Sequence, residues 1–316
     1  MAERRTETLH TEAQGIDLRA PEAVLRVLAQ GQAEAANAVV AAIPSIAKAA
    51  ETAARSLAGG GRIAYAAAGS SGLMALADGL ELPGTFGIPP ERIVILIAGG
   101  AANFHELANG AEDDTDLARA DVAGAQIGAG DCLIALSASG TTPYALGAVR
   151  EAARRGAVTV GIANNPGAPL LDIADVPVLI ETPAEVIAGS TRMGAATAQK
   201  IALNMMSTLM AIHLGHVHDG YMINLRPDNV KLKDRAARIV AAIAGCAPDA
   251  AAELLARSGG SVKAAILMAS GAQDAADAER LLQSAGQRLR PALAMIEGSK
   301  SSNHGGAKPP KQGECK

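Results

Sequence analysis

Residues 62–72 read RIAYAAAGSSG and residues 131–142 read DCLIALSASGTT. In each, a run of strand length that is apolar on both faces stops at a cluster of Ser and Gly, and an Ala-rich stretch follows. Runs without polar alternation belong to strands covered on both sides, as in a parallel sheet. The unit recurs. Arg92 to Ala98 ends in Gly99-Gly100, Ala157 to Ala163 ends in Asn164-Asn165-Pro166-Gly167, and Val176 to Glu181 completes the series. Strand, small-residue turn and helix in repetition predict an α/β protein with a doubly wound parallel sheet.

Outward from this centre the pattern changes. From Pro21 to Leu57 apolar residues recur at spacings of three and four (Val24, Leu25, Leu28, then Val39, Val40, Ile43, Ile46), which predicts one long helix or a pair broken at Pro44. Met193 to Leu214 reads as a nearly all-apolar helix. From about Asn229 the strands stop, and Lys231 to Ala244, Ala247 to Arg257, Ser261 to Ala269 and Ala272 to Leu293 read as helices. The expected organisation is an N-terminal helical segment over 1–58, the sheet domain over 59–228, a small helical module over 229–298 and a disordered Lys-, Gly- and Pro-bearing tail over 299–316.

Composition removes several functions. Only 2% of the 316 residues are aromatic and none is Trp, so base-stacking platforms for single-stranded nucleic acid are not expected. Twenty-eight basic residues against 32 acidic ones give a net charge of −4, with no basic field for a phosphate backbone. Ala-rich stretches are broken by charge or Gly too early to span a membrane, and the polar start Met1-Ala-Glu-Arg-Arg has no signal core behind it. Three Cys, odd in number and far apart, suit reduced thiols. The expectation is a soluble cytoplasmic protein that binds neither nucleic acid nor membrane.

The two Ser–Gly loops carry the chemistry. In an open α/β sheet, ligands sit outside the carboxyl ends of strands, where loops enter helices. Small hydroxyls, backbone N–H groups and a helix N-terminus together hold an anion without Lys. One such loop alone is most simply a turn with a cap; two matched loops point to an anionic, hydroxyl-rich ligand such as a phosphosugar. A third element, Glu185 followed by Gly189-Ser190-Thr191-Arg192, lies at another helix start. No GxGxxG or GxxxxGK[ST] occurs at these loops, so a nucleotide is not indicated.

The loops GSSG and SASGTTPY resemble the sugar isomerase (SIS) fold of phosphosugar-binding proteins. More specifically, ELPGTFG at 81–87, LIAGG at 96–100, GAEDD at 110–114, PAEVIAGSTRMGAATAQKIALNMMSTLM at 183–210 and NVKLKDRAARIV at 229–240 resemble the N-acetylmuramic acid 6-phosphate etherase family, over roughly residues 5–295. The resemblance implies cleavage of the lactyl ether of N-acetylmuramate 6-phosphate in peptidoglycan recycling, by a homodimer with sites near its interface, without metal or other cofactor. It maps the two catalytic carboxyl groups onto Glu81 and Glu112. Ser70 and Ser71 fall in the first sugar loop, Ser137, Ser139 and Thr142 in the second, and Glu185, Ser190 and Thr191 in the third element. Glu81 lies between Leu80 and Leu82, and apolar surroundings would suit a general acid. Glu112, in an acidic cluster, suits the base, although the two roles are interchangeable at this level.

The chain departs from the family pattern inside these loops. Leu73 and Thr141 stand where the family usually has Arg, Gly194 where it has Lys, and Leu9-His10 where it has Arg-Asn; Arg192 is retained. Two alternatives therefore stay open: a phosphosugar isomerase of the same fold, and a non-enzymatic phosphosugar regulator like the glucokinase regulatory protein. His213, His216 and His218 do not share one helical face, so they read as a helix end rather than a metal site.

Overall fold

Five strands form a parallel sheet in the order β2-β1-β3-β4-β5: β1 (Ile63–Ala67), β2 (Ile93–Ile97), β3 (Cys132–Ser137), β4 (Val158–Ala163) and β5 (Val176–Leu179). Each lies within the segment that its apolar run predicts, except that β3 runs one residue past Leu136, onto Ser137. The structure, a computed structural model, describes residues 5–100 and 110–304. Order reverses between β1 and β3, which pair in register from Ile63 opposite Cys132 to Ala67 opposite Leu136. The two Ser–Gly loops thus leave adjacent strands at the switch point of the sheet, where an open α/β fold places its ligand.

Both faces are covered. Ala64, Ala66, Leu133 and Ala135 pack under α4 (Thr115–Gly124) and α5 (Pro143–Arg154), together with Ala118, Val122, Tyr144 and Ala148. Small residues let these helices approach closely. A Cβ on Gly147 would lie 2.9 Å from Thr115 Cγ2 and 3.0 Å from the Thr115 carbonyl oxygen, so the scarcity of rings is a packing requirement here. On the other face, Tyr65 donates to Asp78 Oδ2 at 2.8 Å from within β1. Asp78 is buried in α3 (Gly69–Phe86), and its Oδ1 also accepts from Asn204 Nδ2 at 2.8 Å and from the Ser207 hydroxyl at 2.9 Å, both on α7 (Gly194–His213). One carboxylate thereby ties sheet, α3 and α7 together. Burial, more than the charge of Asp78, raises the Tyr65 phenol well above its ordinary value, so it stays a donor.

The N-terminal segment is a pair of helices, α1 (Pro21–Ala38) and α2 (Ile43–Ala58), joined by a 3-10 turn over Val39–Ala42 just ahead of Pro44. Both pack against α7, within the same compact unit as the sheet. That unit comprises residues 1–83 and 88–213; the second comprises 84–87 and 214–316. Apart from residues 84–87, the second compact unit thus begins at 214, ahead of the helical module expected from 229. Ile223 and Leu225 are buried in the core of the second unit, with Val240, Leu255, Ile266 and Leu282. A short hairpin, β6 (Val217–His218) with β7 (Tyr221–Met222), precedes them.

The second unit contains α8 (Val230–Ala244), α9 (Pro248–Arg257), α10 (Val262–Ser270), α11 (Ala275–Ser284) and α12 (Leu289–His304). The single helix expected over 272–293 is two. Gly286 and Gln287 both take positive φ (62° each), and buried Lys263 donates from Nζ to the Gln287 carbonyl at 2.9 Å, fixing the break. Helix α12 continues to His304, past the start of the expected tail; residues 305–316 lie outside the described residues. No single helix among the described residues is long and apolar enough to cross a membrane.

One pH response follows from the second unit. Burial first, then the charge of Lys263, pulls His216 down to about 4, against an opposing hydrogen bond with the Phe86 backbone, and its buried Nδ1 has no hydrogen-bond partner among the described residues. Because the unfolded chain takes this proton first, the stability associated with neutral His216 is complete above about pH 6.5 and is lost as pH falls toward 4. Urea unfolding of this unit is expected to lose about 2 kcal/mol between pH 7 and pH 5. His216→Gln should flatten that slope, and an unchanged slope in the variant would refute the assignment.

Candidate phosphosugar site

A cavity of ≈ 480 Å³ opens at the carboxyl ends of β1 and β3, lined by Ser70, Ser71, Ser139, Thr142, Thr191 and Glu112 among others. Six sequence-predicted residues from four separate segments therefore meet in one place. The first loop enters α3 directly at Gly69, so Ser70 and Ser71 occupy a helix N-terminus whose N–H groups and dipole favour an anion. The second loop is a ring of hydroxyls ahead of α5. Ser137 Oγ lies 2.8 Å from Thr142 Oγ1 and 3.3 Å from Ser139 Oγ, and it accepts from Gly140 N at 2.9 Å. Gly140 makes the turn possible: its φ is +67°, and a Cβ there would lie 2.3 Å from Ala168 Cβ. Ser137 itself is buried beneath the ring and holds it rather than lining the cavity.

Thr141, which stands where the family carries Arg, also lines the cavity, and its hydroxyl donates to Ser139 Oγ at 2.9 Å. Among the described residues, the lining contains no Lys, Arg or His; its ionisable groups are Glu7, Glu112 and Asp113. Anion binding therefore rests on hydroxyls, backbone N–H groups and helix termini. Arg192 is exposed at the start of α7, next to Thr191.

The remaining predicted residues lie elsewhere. Glu185 is buried and caps α7, accepting from Gly194 N and Ala195 N at 2.8 Å each. Ser190 sits in the turn before that helix, where its carbonyl accepts from Met193 N at 3.2 Å. Glu81 is exposed on α3, about 16 Å along the helix from Ser70 at 1.5 Å per residue. The apolar surroundings expected for Glu81 are not supplied by the described residues, because Leu82 is buried while Leu80 and Glu81 are both exposed. Glu112, itself exposed, lines the cavity: a Cβ on Gly69 would lie 4.0 Å from its Oε2.

Among the lining residues, Glu7 lies outside every motif that the sequence singles out. Glu7 belongs to the polar run RRTET, and only long-range contacts bring it here. Among the described residues, no three His, Cys, Asp or Glu side chains group as a metal site. His213 closes α7, whereas His218 is in β6, with Nε2 3.5 Å from Asp219 Oδ2.

Against known proteins, residues 28–164 match the family model described as the SIS domain. N-acetylmuramic acid 6-phosphate etherase of Deinococcus radiodurans is 46% identical over 290 residues, 92% of this chain and 95% of that protein. The etherase of Streptomyces avermitilis is 41% identical over 92% of this chain and 93% of its own length, and that of Rubrobacter xylanophilus 40% over 83% and 87%. Similarity at this level along nearly the whole length, in a chain whose hydroxyl loops flank the switch point of a parallel sheet, places it in a family. The chain belongs to the N-acetylmuramic acid 6-phosphate etherases.

Proposed function

We propose that this chain cleaves the D-lactyl ether of N-acetylmuramic acid 6-phosphate, giving N-acetylglucosamine 6-phosphate and D-lactate. The observation that carries the reading is the meeting of both hydroxyl loops, Thr191 and Glu112 in one polar cavity. The phosphate is held by the hydroxyls of Ser70, Ser71, Ser139 and Thr142 and by N–H groups at the starts of α3 and α5. Opening the sugar ring exposes an aldehyde at C1, which acidifies the C2 proton. A carboxylate takes that proton, the C3–oxygen bond breaks, and a second carboxyl group protonates the departing lactate oxygen. Water then adds at C3 of the unsaturated sugar, so the net reaction consumes one water. We assign the first role to Glu112 and the second to Glu81.

Glu81 reaches this cavity by way of a second copy of the chain. Supporting a homodimer, α2 and α7 flank a groove of ≈ 530 Å³ lined by Ile43, Ile46, Ile201, Met205, Leu209 and Ile212, with Ile43, Met205 and Ile212 exposed. Leu73 and Leu80 add exposed apolar area on α3. Met205→Glu is expected to halve the mass measured by light scattering and to lower turnover with it. A wild-type monomer that turns over, or a variant that stays dimeric, would sink this part. We also place the protein in the cytoplasm: Cys132 is a free thiol inside β3, pushed up to about 12 chiefly by burial, and Cys246 is free as well.

The direct test is D-lactate release from N-acetylmuramate 6-phosphate. Tight calorimetric binding without lactate would replace the enzyme by a phosphosugar sensor, a reading that the cation-free lining also allows.

A further inference from the structure

The N-terminal 3-10 turn, Arg5–Glu7, is held against the site by more bonds than its length requires. Thr6 is 1% exposed, and its N–H donates to Asn165 Oδ1 at 3.4 Å while its hydroxyl accepts from Asn165 Nδ2 at 3.2 Å. The same Asn165 amide donates to the Ala138 carbonyl at 2.9 Å, inside the second hydroxyl loop. The Thr6 carbonyl accepts from Gly189 N at 2.9 Å, and Arg5 pairs with Glu181 at 2.7 Å. Through Asn165 and Gly189, this turn is registered against two of the three ligand segments.

Glu7 is the residue so placed. Its carboxylate lies on the cavity, 3.1 Å from where a Cβ on Gly189 would sit, and it makes no salt bridge among the described residues. A carboxylate only accepts hydrogen bonds, and it repels phosphate and lactate groups. Its natural partner in a sugar phosphate is therefore an O–H or N–H group of the carbon skeleton. We propose that Glu7 is a substrate-positioning residue, whose carboxylate accepts a hydrogen bond from a hydroxyl or amide N–H of the sugar and so orients it within the cavity. This rests on the etherase reading for the identity of the sugar, but not for the binding role.

The test compares wild type, Glu7→Ala, Glu7→Gln and Thr6→Val with N-acetylmuramate 6-phosphate, reading D-lactate for turnover and calorimetry for binding. Loss of one charged hydrogen bond is expected to raise KM about ten- to a hundredfold in Glu7→Ala, while kcat falls by less than about threefold. Glu7→Gln should recover part of the loss, since the amide oxygen still accepts. Thr6→Val, which removes the hydroxyl latch and keeps the shape, should shift KM in the same direction by less. An unchanged KM in Glu7→Ala, or a fall in kcat at unchanged KM, overturns the proposal. If the wild type releases no lactate, the etherase reading fails by itself. Glu7 is then judged by calorimetry, where tenfold weaker binding of Glu7→Ala supports the proposal and equal binding overturns it.

Discussion

Glu112→Gln is expected to lower lactate release by about 10²- to 10⁴-fold while KM changes by less than about threefold. The substitution keeps shape and hydrogen-bonding capacity but removes the ability to take a proton. Glu112 is reached from the first hydroxyl loop, with its Oε2 close to Gly69, so it can face the reacting end of a sugar whose phosphate lies at the start of α3. In the proposed binding mode the phosphate rests on fixed backbone at the start of α3, and the carbon chain from C6 to C2 limits how far C2 of the open-chain sugar lies from it. A base on that side of the cavity therefore needs no movement of the chain. The measurement is steady-state kinetics with D-lactate detection. Turnover within tenfold of wild type would remove Glu112 from the proton-transfer role, and the base would have to be sought in Asp113.

Asp78→Ala should produce the largest loss of stability among substitutions in the sheet unit, about 3–5 kcal/mol. The carboxylate is buried and accepts from Tyr65, Asn204 and Ser207. Alanine would take the Asp78 acceptor from the buried Tyr65 hydroxyl and from Asn204 Nδ2, and would leave the buried Ser207 hydroxyl only the Asn204 carbonyl at 3.4 Å. Each such group costs about 1–3 kcal/mol. Asp78→Asn retains one oxygen for α7 and should lose less than about half as much. Urea unfolding followed by circular dichroism reads both, since the chain has no Trp to report. A loss below about 1 kcal/mol in Asp78→Ala would show that packing alone holds α3 to the sheet and α7.

The sheet was legible because its central strands are buried on both faces: a run such as CLIALS has no polar alternation to confuse with a surface helix, and Ser–Gly turns mark its end. The two loops were legible for the same reason, and Ser70, Ser71, Ser139 and Thr142 reach the cavity from them. Glu7 was not legible. It lies in a polar segment without periodicity, and its position is set by hydrogen bonds from Thr6 to Asn165, 159 residues away. Nor did the sequence distinguish a carboxylate that lines the cavity from one that caps a helix, as Glu185 does, because both stand before a helix start. The break at Gly286-Gln287 did carry sequence signals, Gly286 just past the end of α11 and Pro291 in the first turn of α12, but the apolar pattern runs on across both. The β6–β7 hairpin, with strands of two residues each, is too short for any period to register.

Where the sequence resemblance leads one to expect Arg, Thr141 supplies a hydroxyl that joins the Ser137–Ser139–Thr142 ring. Few aromatics and little charge in the loops then describe one kind of site, built from hydroxyls and N–H groups around carboxylates.

The most direct test runs the wild-type enzyme on N-acetylmuramate 6-phosphate in water enriched in ¹⁸O. Elimination followed by hydration predicts D-lactate without label and N-acetylglucosamine 6-phosphate carrying one ¹⁸O at C3, resistant to exchange under conditions that wash label out of the aldehyde. Label in the lactate, or no lactate at all, would contradict the account.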